Sequence, residues 1–277
     1  MSSIKIIAID IDGTLLNSEL KLQEPVKEAI QKAKASGIKI VLCSGRPLPG
    51  VKPYLKELNL TDEGDYAITY NGALVQTSHD GKIISHHTLA YDNFLEVERT
   101  AKKAGVHFHG INELGLFTSN KDISPYSVRE CFLNDIPLFY RTNDELDTSM
   151  SYSKMMMIDP PEQLEKAIAI LPESFYERYT VLRSAPFYLE ILNKEASKGQ
   201  ALRDLANFLN VPREEVMAIG DQGNDLDMIE YAGIGVAMGN AVDSIKEASN
   251  VITVSNDEDG VAQAIYRYAL ENEQVRN

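Results

Sequence analysis

Residues 4–14 read IKIIAIDIDGT, an apolar run that ends in two aspartates, a glycine and a threonine. The run is short and rich in β-branched residues, which predicts a β-strand buried on both faces. Side chains alternate along an extended strand, so we expect Asp10 and Asp12 to point to the same side. Two carboxylates that close repel each other unless a cation or a shared proton joins them. This stretch is therefore a candidate metal and nucleophile site.

Strand and helix patterns alternate through the first and last thirds of the chain. Strands are predicted at 4–10, 38–43, 66–69, 215–219, 234–238 and 251–254. Helices are predicted at 24–36, 47–59, 198–210, 224–231, 243–248 and 259–271. Such alternation favours the α/β class, with a doubly wound, Rossmann-like parallel sheet.

The middle of the chain has a different pattern, because its strands alternate more between apolar and polar residues. Helices are predicted there at 91–104 and 161–171, and strands at 106–108, 154–158, 176–183 and 187–192. We interpret residues 88–187 as an inserted α+β cap domain. Residues 1–87 and 188–277 then form one discontinuous catalytic core.

Composition narrows the class of protein and its partners. The 277 residues carry a formal net charge of −14, which argues against a nucleic-acid partner because no excess of Lys and Arg exists to neutralise phosphates. A small phosphorylated substrate needs only a local positive pocket. Cys43 and Cys131 are the only cysteines, which favours a reducing, cytoplasmic compartment. We expect neither a signal peptide nor a membrane partner, since no apolar segment approaches the length of a membrane span.

Four polar residues fall just past the ends of predicted strands: Asp10, Ser44, Asn71 and Asp221. Doubly wound sheets place their sites at the carboxyl ends of strands, so we expect these side chains to converge. Lys198 opens a predicted helix and offers a positive charge. Together these groups describe a site for phosphoryl transfer.

The acidic residues suit a magnesium site. Asp10, Asp12 and Asp221 provide hard oxygen ligands of the kind that Mg²⁺ prefers. The hydroxyl of Ser44 and a close backbone approach at Gly45 could meet a phosphate oxygen.

Four motifs occur in a fixed order: DIDGTL at 10–15, SGR at 44–46, SKG at 197–199 and GDQGND at 220–225. The residues of these motifs and the spacing between them resemble those of the haloacid dehalogenase-like phosphatases over essentially the whole chain. The resemblance is to the Cof-type sugar phosphatases, which carry a large type C2 cap between the second and third motifs. It implies a lid that closes over the substrate and excludes water.

The resemblance also implies roles for the acidic residues and the lysine. Asp10 would attack phosphorus to form an aspartyl-phosphate, and Asp12 would protonate the leaving alcohol and then activate water. Lys198 would screen the repulsion between Asp10 and the phosphate. Mg²⁺ would be held by the Asp10 side chain, the Asp12 backbone carbonyl and Asp221. Asp225 would orient Lys198 or complete the surroundings of the metal.

The remaining implied positions concern the substrate. Ser44, with its neighbour Gly45, would bind a phosphate oxygen, and Asn224 would touch the phosphate or order the waters of the metal. Arg46 and Asn71 would face the entrance between core and cap.

Other interpretations stay open at this point. Taken alone, Ser44–Pro47 could be only a helix N-cap, Asn71–Gly72 only a turn, and Gly220–Asp227 only a turn before a solvated helix. The activity expected from the resemblance is Mg²⁺-dependent hydrolysis of small phosphorylated metabolites, above all sugar phosphates. A phosphomannomutase-like phosphomutase and a non-catalytic metabolite-binding protein are the alternatives.

Overall fold

A computed structural model describes residues 3–270 of the chain. The first part folds into β1 (Ile6–Asp10), α1 (Glu24–Ala35), β2 (Lys39–Cys43), α2 (Leu48–Glu57), β3 (Tyr66–Thr69), β4 (Leu74–Thr77) and β5 (Ile83–His86). The middle folds into β6 (Leu89–Ala90), α3 (Tyr91–Ala104), β7 (His107–Asn112), β8 (Gly115–Thr118), α4 (Pro125–Asn134), β9 (Leu138–Tyr140), β10 (Ser151–Tyr152), β11 (Lys154–Ile158), α5 (Pro161–Ala169), α6 (Glu173–Arg178), β12 (Tyr179–Ala185) and β13 (Tyr188–Asn193). The last part folds into α7 (Lys198–Phe208), β14 (Val216–Gly220), α8 (Leu226–Tyr231), β15 (Ile234–Ala237), α9 (Asp243–Ala248), β16 (Val251–Ile252) and α10 (Gly260–Ala264), which continues as π-helical turns over Ile265–Leu270.

The described chain divides into two compact units. The first unit comprises residues 3–44, 51–85 and 197–270, and the second comprises residues 45–50 and 86–196.

The first unit contains a sheet with the strand order β16-β15-β14-β1-β2-β3-β4-β5. The pairs from β16 to β3 are parallel, and β4 is antiparallel to β3. The chain steps outward in one direction from β1 and in the other from β14. With right-handed crossovers, this reversal puts the helices on opposite faces of the sheet. The doubly wound α/β fold predicted from the sequence is confirmed.

The central strand explains why this sheet forms. Ile6, Ile7, Ala8 and Ile9 are each fully buried, as an apolar run covered on both faces requires. The strand stops at Asp10, where the chain turns and the Leu15 N–H donates to the Asp10 carbonyl at 3.1 Å. The first polar side chain therefore stands at the carboxyl edge of the sheet.

The second unit is built on a sheet with the order β12-β13-β11-β7-β8-β9 and on the short pair β10-β6. Its pairs are antiparallel except for β8 with β9. Met155 and Met157 of β11 pack in a buried cluster with Phe94 and Phe108. Lys154 and Met156 alternate with these methionines and point to the other face of the strand.

The structure differs from the sequence prediction in several elements of the middle part. The predicted strand 176–183 begins as helix α6, which has Glu173 in its first turn, and β12 starts only at Tyr179. The helix α4 and the strands β8 and β9 were not predicted. The predicted domain boundary between residues 187 and 188 assigns β13 to the catalytic core. In the structure, β13 pairs with β11 and β12. The two domain ranges themselves stay a prediction.

The remaining expectations concern the chain end and the membrane. The last predicted helix is confirmed from Gly260 to Leu270, and its final residue, 271, lies outside the described residues. Among residues 3–270, none of the helices combines the length and the apolar composition that a membrane crossing requires.

Candidate active site

Three aspartates converge at the carboxyl edge of the parallel sheet. Asp10 ends β1, Asp221 directly follows β14, and these two strands pair in parallel with Ile9 opposite Ile219. Asp225 ends the short 3₁₀ turn Gly223–Asp225. One carboxylate oxygen from each of the three aspartates lies within 4.8 Å of the others, and all three residues are buried. The predicted convergence of the first and fourth motifs is therefore present in the fold.

Lys198 lies between two of these carboxylates. It is the first residue of α7, whose N-cap Ser197 accepts a hydrogen bond from the Gln200 N–H through its side chain. The Lys198 Nζ donates to Asp10 Oδ1 and to Asp225 Oδ1, each at 2.6 Å, and the residue is 1% exposed. A buried ammonium between two carboxylates has the short, charge-assisted hydrogen bonds that fix its position.

A glycine in the 3₁₀ turn Tyr70–Gly72, which follows β3, allows α7 to begin here. Gly72 has φ +91°, and a Cβ at this position would lie 2.0 Å from the Ser197 carbonyl oxygen. Only glycine tolerates both this conformation and this close approach. Gly72 therefore sets the start of the helix that carries Lys198.

Asp225 uses both of its oxygens inside the protein. Oδ1 accepts from Lys198 Nζ, and Oδ2 accepts from the backbone N–H groups of Asp221 and Gln222, each at 3.0 Å. These bonds orient Lys198 and hold the turn that carries Asp221. The arrangement makes Asp225 a support for the site, since its lone pairs already have protein donors.

The cluster carries more buried negative charge than positive charge. Burial raises the pKa of the Asp10 carboxyl well above its usual value, and the Asp225 charge raises it further. Burial likewise raises the pKa of Asp221 to about 6. Burial by itself lowers the pKa of Lys198, but the charges of Asp10 and Asp225 outweigh it and raise that pKa, so the ammonium stays protonated.

This excess charge matches a divalent cation. Three carboxylates and one ammonium leave a net charge of −2 when all are ionised. Burying uncompensated carboxylates costs free energy, and carboxylate oxygens are the ligands that hard cations prefer. The residues present therefore fit a divalent metal, which the side chains of Asp10 and Asp221 would hold.

Thr14 binds the Asp221 carboxylate, and Gly13 leaves room for it. The Thr14 hydroxyl donates to Asp221 Oδ1 at 2.9 Å. Gly13 has φ +85°, and a Cβ there would lie 2.5 Å from Asp221 Oδ2. The sequence analysis did not single out the Thr14 side chain, although its place in the first motif was the available signal.

Asp12 differs from Asp10 in its surroundings. The strand ends at Asp10, so the alternation expected from an extended chain stops there, and Asp12 lies in the following turn with an exposed side chain. The expectation that the Asp10 and Asp12 side chains point to the same side stays a prediction. An exposed carboxyl beside a buried one is nevertheless suited to exchange protons with substrate and water.

Ser44, Asn71 and Asn224 are joined by hydrogen bonds. The Ser44 N–H donates to the Ile68 carbonyl, and the Asn71 N–H donates to the Ser44 carbonyl, each at 2.9 Å. The Asn224 Nδ2 donates to Asn71 Oδ1 at 3.0 Å. Asn71 has φ 54°, a left-handed conformation that clusters at functional sites. The fold thus links the second and fourth motifs through a buried asparagine.

Gly45 and Arg46 lie in the segment Gly45–Gly50, which belongs to the second unit. Both are half-buried, and the Gly45 carbonyl accepts from Lys154 Nζ at 3.3 Å. Lys154 is itself buried against Glu130 and Glu190. The sequence analysis missed this contact, because Lys154 lies in a strand whose neighbours are methionines. The substrate contacts of Gly45 and Arg46 stay a prediction.

Comparisons with known proteins agree with this geometry. A family model described as haloacid dehalogenase-like hydrolase matches residues 7–265. The chain is 48% identical over 266 residues to the protein YxeH of Bacillus subtilis, covering 96% of this chain and 98% of YxeH. It is 32% identical over 287 residues to the phosphatase YwpJ of Bacillus subtilis, covering 93% of this chain and 97% of YwpJ.

A solved structure extends the likeness to three dimensions. The sugar phosphatase BT4131, of haloacid dehalogenase subclass IIB, superposes with a TM-score of 0.77 at 25% identity, covering 95% of this chain and 98% of that chain. The family resemblance expected from the four motifs is confirmed. Because each match spans nearly the full length of both proteins, the chain belongs to the haloacid dehalogenase-like hydrolases, in their Cof-type group, and it is a phosphatase.

Proposed function

We propose that this phosphatase hydrolyses small phosphorylated metabolites, above all sugar phosphates, in a Mg²⁺-dependent reaction that passes through an aspartyl-phosphate on Asp10. The observation that carries the proposal is the buried Asp10 carboxylate, bonded at 2.6 Å to a lysine and clustered with Asp221. The sugar phosphatase activity of BT4131 supports the choice of substrate class.

Asp10 has the surroundings that a nucleophilic carboxylate needs. A carboxylate and a phosphate repel each other, and the Lys198 ammonium at Asp10 Oδ1 offsets that repulsion. A carboxylate oxygen of Asp10 forms a bond to phosphorus while the bond from phosphorus to the ester oxygen breaks. A divalent cation held by Asp10, Asp221 and the backbone carbonyl of Asp12 would supply further positive charge to the phosphate.

Asp12 would carry the proton in both halves of the reaction. It gives its proton to the leaving oxygen as the phosphoenzyme forms. It then takes a proton from the water that attacks the aspartyl-phosphate, which returns Asp10 and Asp12 to their starting forms. The exposed position of Asp12 is consistent with contact to both substrate and solvent.

The phosphate oxygens would be bound by the linked residues of the second and fourth motifs. Ser44 offers its hydroxyl and Asn224 its amide, and Asn71 holds Asn224 at 3.0 Å. Gly45 and Arg46 are proposed as further substrate contacts on the strength of the motif alone. We also place the enzyme in the cytoplasm, a proposal that its free thiols Cys43 and Cys131 support.

The experiment is the replacement Asp10→Asn, assayed on a chromogenic phosphate ester and on a panel of sugar phosphates with kcat/KM for each. We expect activity to fall by more than about 10³-fold while the far-UV circular dichroism is unchanged, because an amide cannot form the phosphoenzyme. Asp62→Asn is the matched control: Asp62 is exposed and pairs with Lys34, away from the cluster. Near-normal activity of Asp10→Asn would overturn the assignment of the nucleophile.

A further inference from the structure

Two asparagines from distant loops hold the turn that follows the Asp10 strand. The Asn240 Nδ2 donates to the Gly13 carbonyl and the Asn256 Nδ2 donates to the Leu16 carbonyl, each at 2.8 Å. The Ser18 N–H donates to Asp257 Oδ1, also at 2.8 Å. All of these residues belong to the first unit.

The two asparagines are also bonded to each other. The Asn256 backbone N–H donates to Asn240 Oδ1 at 3.0 Å, so the Asn240 amide is used as donor and as acceptor. The loop that carries Asn240 is tied to the metal-site loop, because the Met238 N–H donates to the Gly220 carbonyl and the Val242 N–H to the Asp221 carbonyl. We call Asn240 and Asn256 the asparagine brace.

The brace acts on the backbone next to Asp12. On one side of Asp12, Asp10 is fixed by β1 and by Lys198. On the other side stands Gly13, at φ +85°, a residue type whose backbone turns freely. The exposed Asp12 side chain extends from this turn, so a shift of the turn's backbone also shifts the Asp12 carboxyl. The Asn240 bond to the Gly13 carbonyl restrains that freedom.

We propose that Asn240 and Asn256 are positioning residues for the proton transfer by Asp12. The brace holds the Gly13–Leu16 turn so that the Asp12 carboxyl meets the leaving oxygen of the substrate. This inference rests on the proposed role of Asp12. Misplacement of a reacting group by about 1 Å can cost as much as 10²-fold in rate, so weak bonds that set a position have a measurable effect.

The test compares two leaving groups on the same enzyme preparation. An alkoxide leaves only with a proton, whereas para-nitrophenolate leaves without one. The measurement is the second-order rate constant of leaving-group release, from pre-steady-state kinetics, for an alkyl phosphate and for para-nitrophenyl phosphate. The ratio of the two constants is independent of the folded fraction, so it remains valid for a partly unfolded variant.

The informative variants are Asn240→Asp and Asn256→Asp. Each keeps the shape of the side chain and removes its amide donor. We expect the ratio of aryl to alkyl rate constants to rise about tenfold, which is a part of the roughly 10²–10⁴-fold that general acid catalysis contributes as a whole. Asn250→Asp is the matched control, since Asn250 uses its Oδ1 to accept from the Gly235 N–H and an aspartate keeps that bond while adding the same charge.

Asp12→Asn separates this inference from the proposed function. If Asp12→Asn raises the ratio and both brace variants leave it at the wild-type value, the positioning role of the brace is wrong and that of Asp12 stands. If Asp12→Asn itself leaves the ratio unchanged, Asp12 is not the proton donor, and both proposals fall. An equal rise of the ratio in Asn250→Asp would show that the added negative charge causes the effect, and it would also overturn the positioning role of the brace.

Discussion

Replacing Lys198 with methionine tests whether the buried cluster is held by charge. The Nζ lies 2.6 Å from one oxygen of Asp10 and one of Asp225, and its side chain is fully buried. Removing one partner of a buried ion pair lowers the free energy of unfolding by about 3–5 kcal/mol, because the remaining charge stays buried without a counterion. We expect the free energy of unfolding of Lys198→Met to fall by about 4 kcal/mol at pH 7.5, within that same range.

Lys34 offers a matched control in the same unit. Its Nζ also pairs with two aspartates, Asp62 and Asp65, each at 2.8 Å, but its side chain is 27% exposed. Ion pairs that water reaches contribute only about 0–1 kcal/mol, so Lys34→Met should cost far less than Lys198→Met. Both lysines have two aspartate partners, and Lys34 Nζ donates in addition to the Asn59 carbonyl. A larger loss in Lys198→Met than in Lys34→Met therefore reports burial.

The loss of unfolding free energy in Lys198→Met should depend on pH. The wild-type lysine has a raised pKa, so its stabilising effect is fully present below about 10.5 and does not vary between pH 5 and 8. Without it, the pKa of Asp10 rises further above 3.8, and the folded state takes up a proton that the unfolded state lacks. Stability of the variant should then fall more steeply than that of the wild type as pH rises from 5 to 8.

The assay is urea unfolding followed by far-UV circular dichroism, in EDTA, at pH 5.5 and 7.5. The double variant Lys198→Met/Asp225→Asn should recover part of the lost stability, because it removes one of the uncompensated charges. Equal losses in Lys198→Met and Lys34→Met, together with no dependence on pH, would refute the electrostatic reasoning.

Three further predictions concern backbone, metal and pH. Gly72→Ala should lower the free energy of unfolding, measured by urea denaturation, by more than about 1 kcal/mol. Gly37→Ala should cost less, because Gly37 has a similar φ of +84° but nothing lies within 4 Å of a Cβ placed there. Equal losses in the two variants would show that the contact with Ser197 is unimportant. Mg²⁺ at 100 times its dissociation constant should stabilise the wild type by about 2.7 kcal/mol, measured from the shift in melting temperature, and Asp221→Asn should abolish the shift while Asp62→Asn keeps it. Without divalent ions, the stability of the wild type relative to Asp221→Asn should fall as pH rises from 3.8 to about 6, because the folded wild type holds the Asp221 proton through that window; a rise of this difference would contradict the raised pKa.

The sequence predicted the parallel sheet and the clustering at its edge because both depend on local, repeated signals. Runs such as residues 4–9 identify strands buried on both faces, and the topology of parallel strands brings Asp10 and Asp221 to one edge. Four motifs in order then allowed Lys198 to be chosen from among the lysines of the chain. Its bonds to Asp10 and Asp225 agree with the role that the resemblance implied.

Other features could not be predicted, because they depend on long-range contacts. The strand patterns of the middle part are weak, and α4 exposes Phe132 at 85% and Leu133 at 55%, so its sequence lacks the amphipathic signal of a buried helix. The hydrogen bond from Asn240 to Gly13 joins residues 227 positions apart, a separation that no local pattern encodes. Likewise, Asp12 lies outside the strand because the chain turns after Asp10. Hydrogen bonds from the Leu15 N–H to the Asp10 carbonyl and from the Leu16 N–H to the Ile11 carbonyl close this turn.

The most direct measurement is the location of the phosphoryl group during turnover. The enzyme is mixed with a radiolabelled sugar phosphate and Mg²⁺, quenched in acid within milliseconds, digested with pepsin and mapped by mass spectrometry. We predict label on the peptide that contains Asp10, and none in Asp10→Asn. Hydrolysis of the sugar phosphate with no labelled peptide at any quench time, or with label on a peptide that lacks Asp10, would contradict the account.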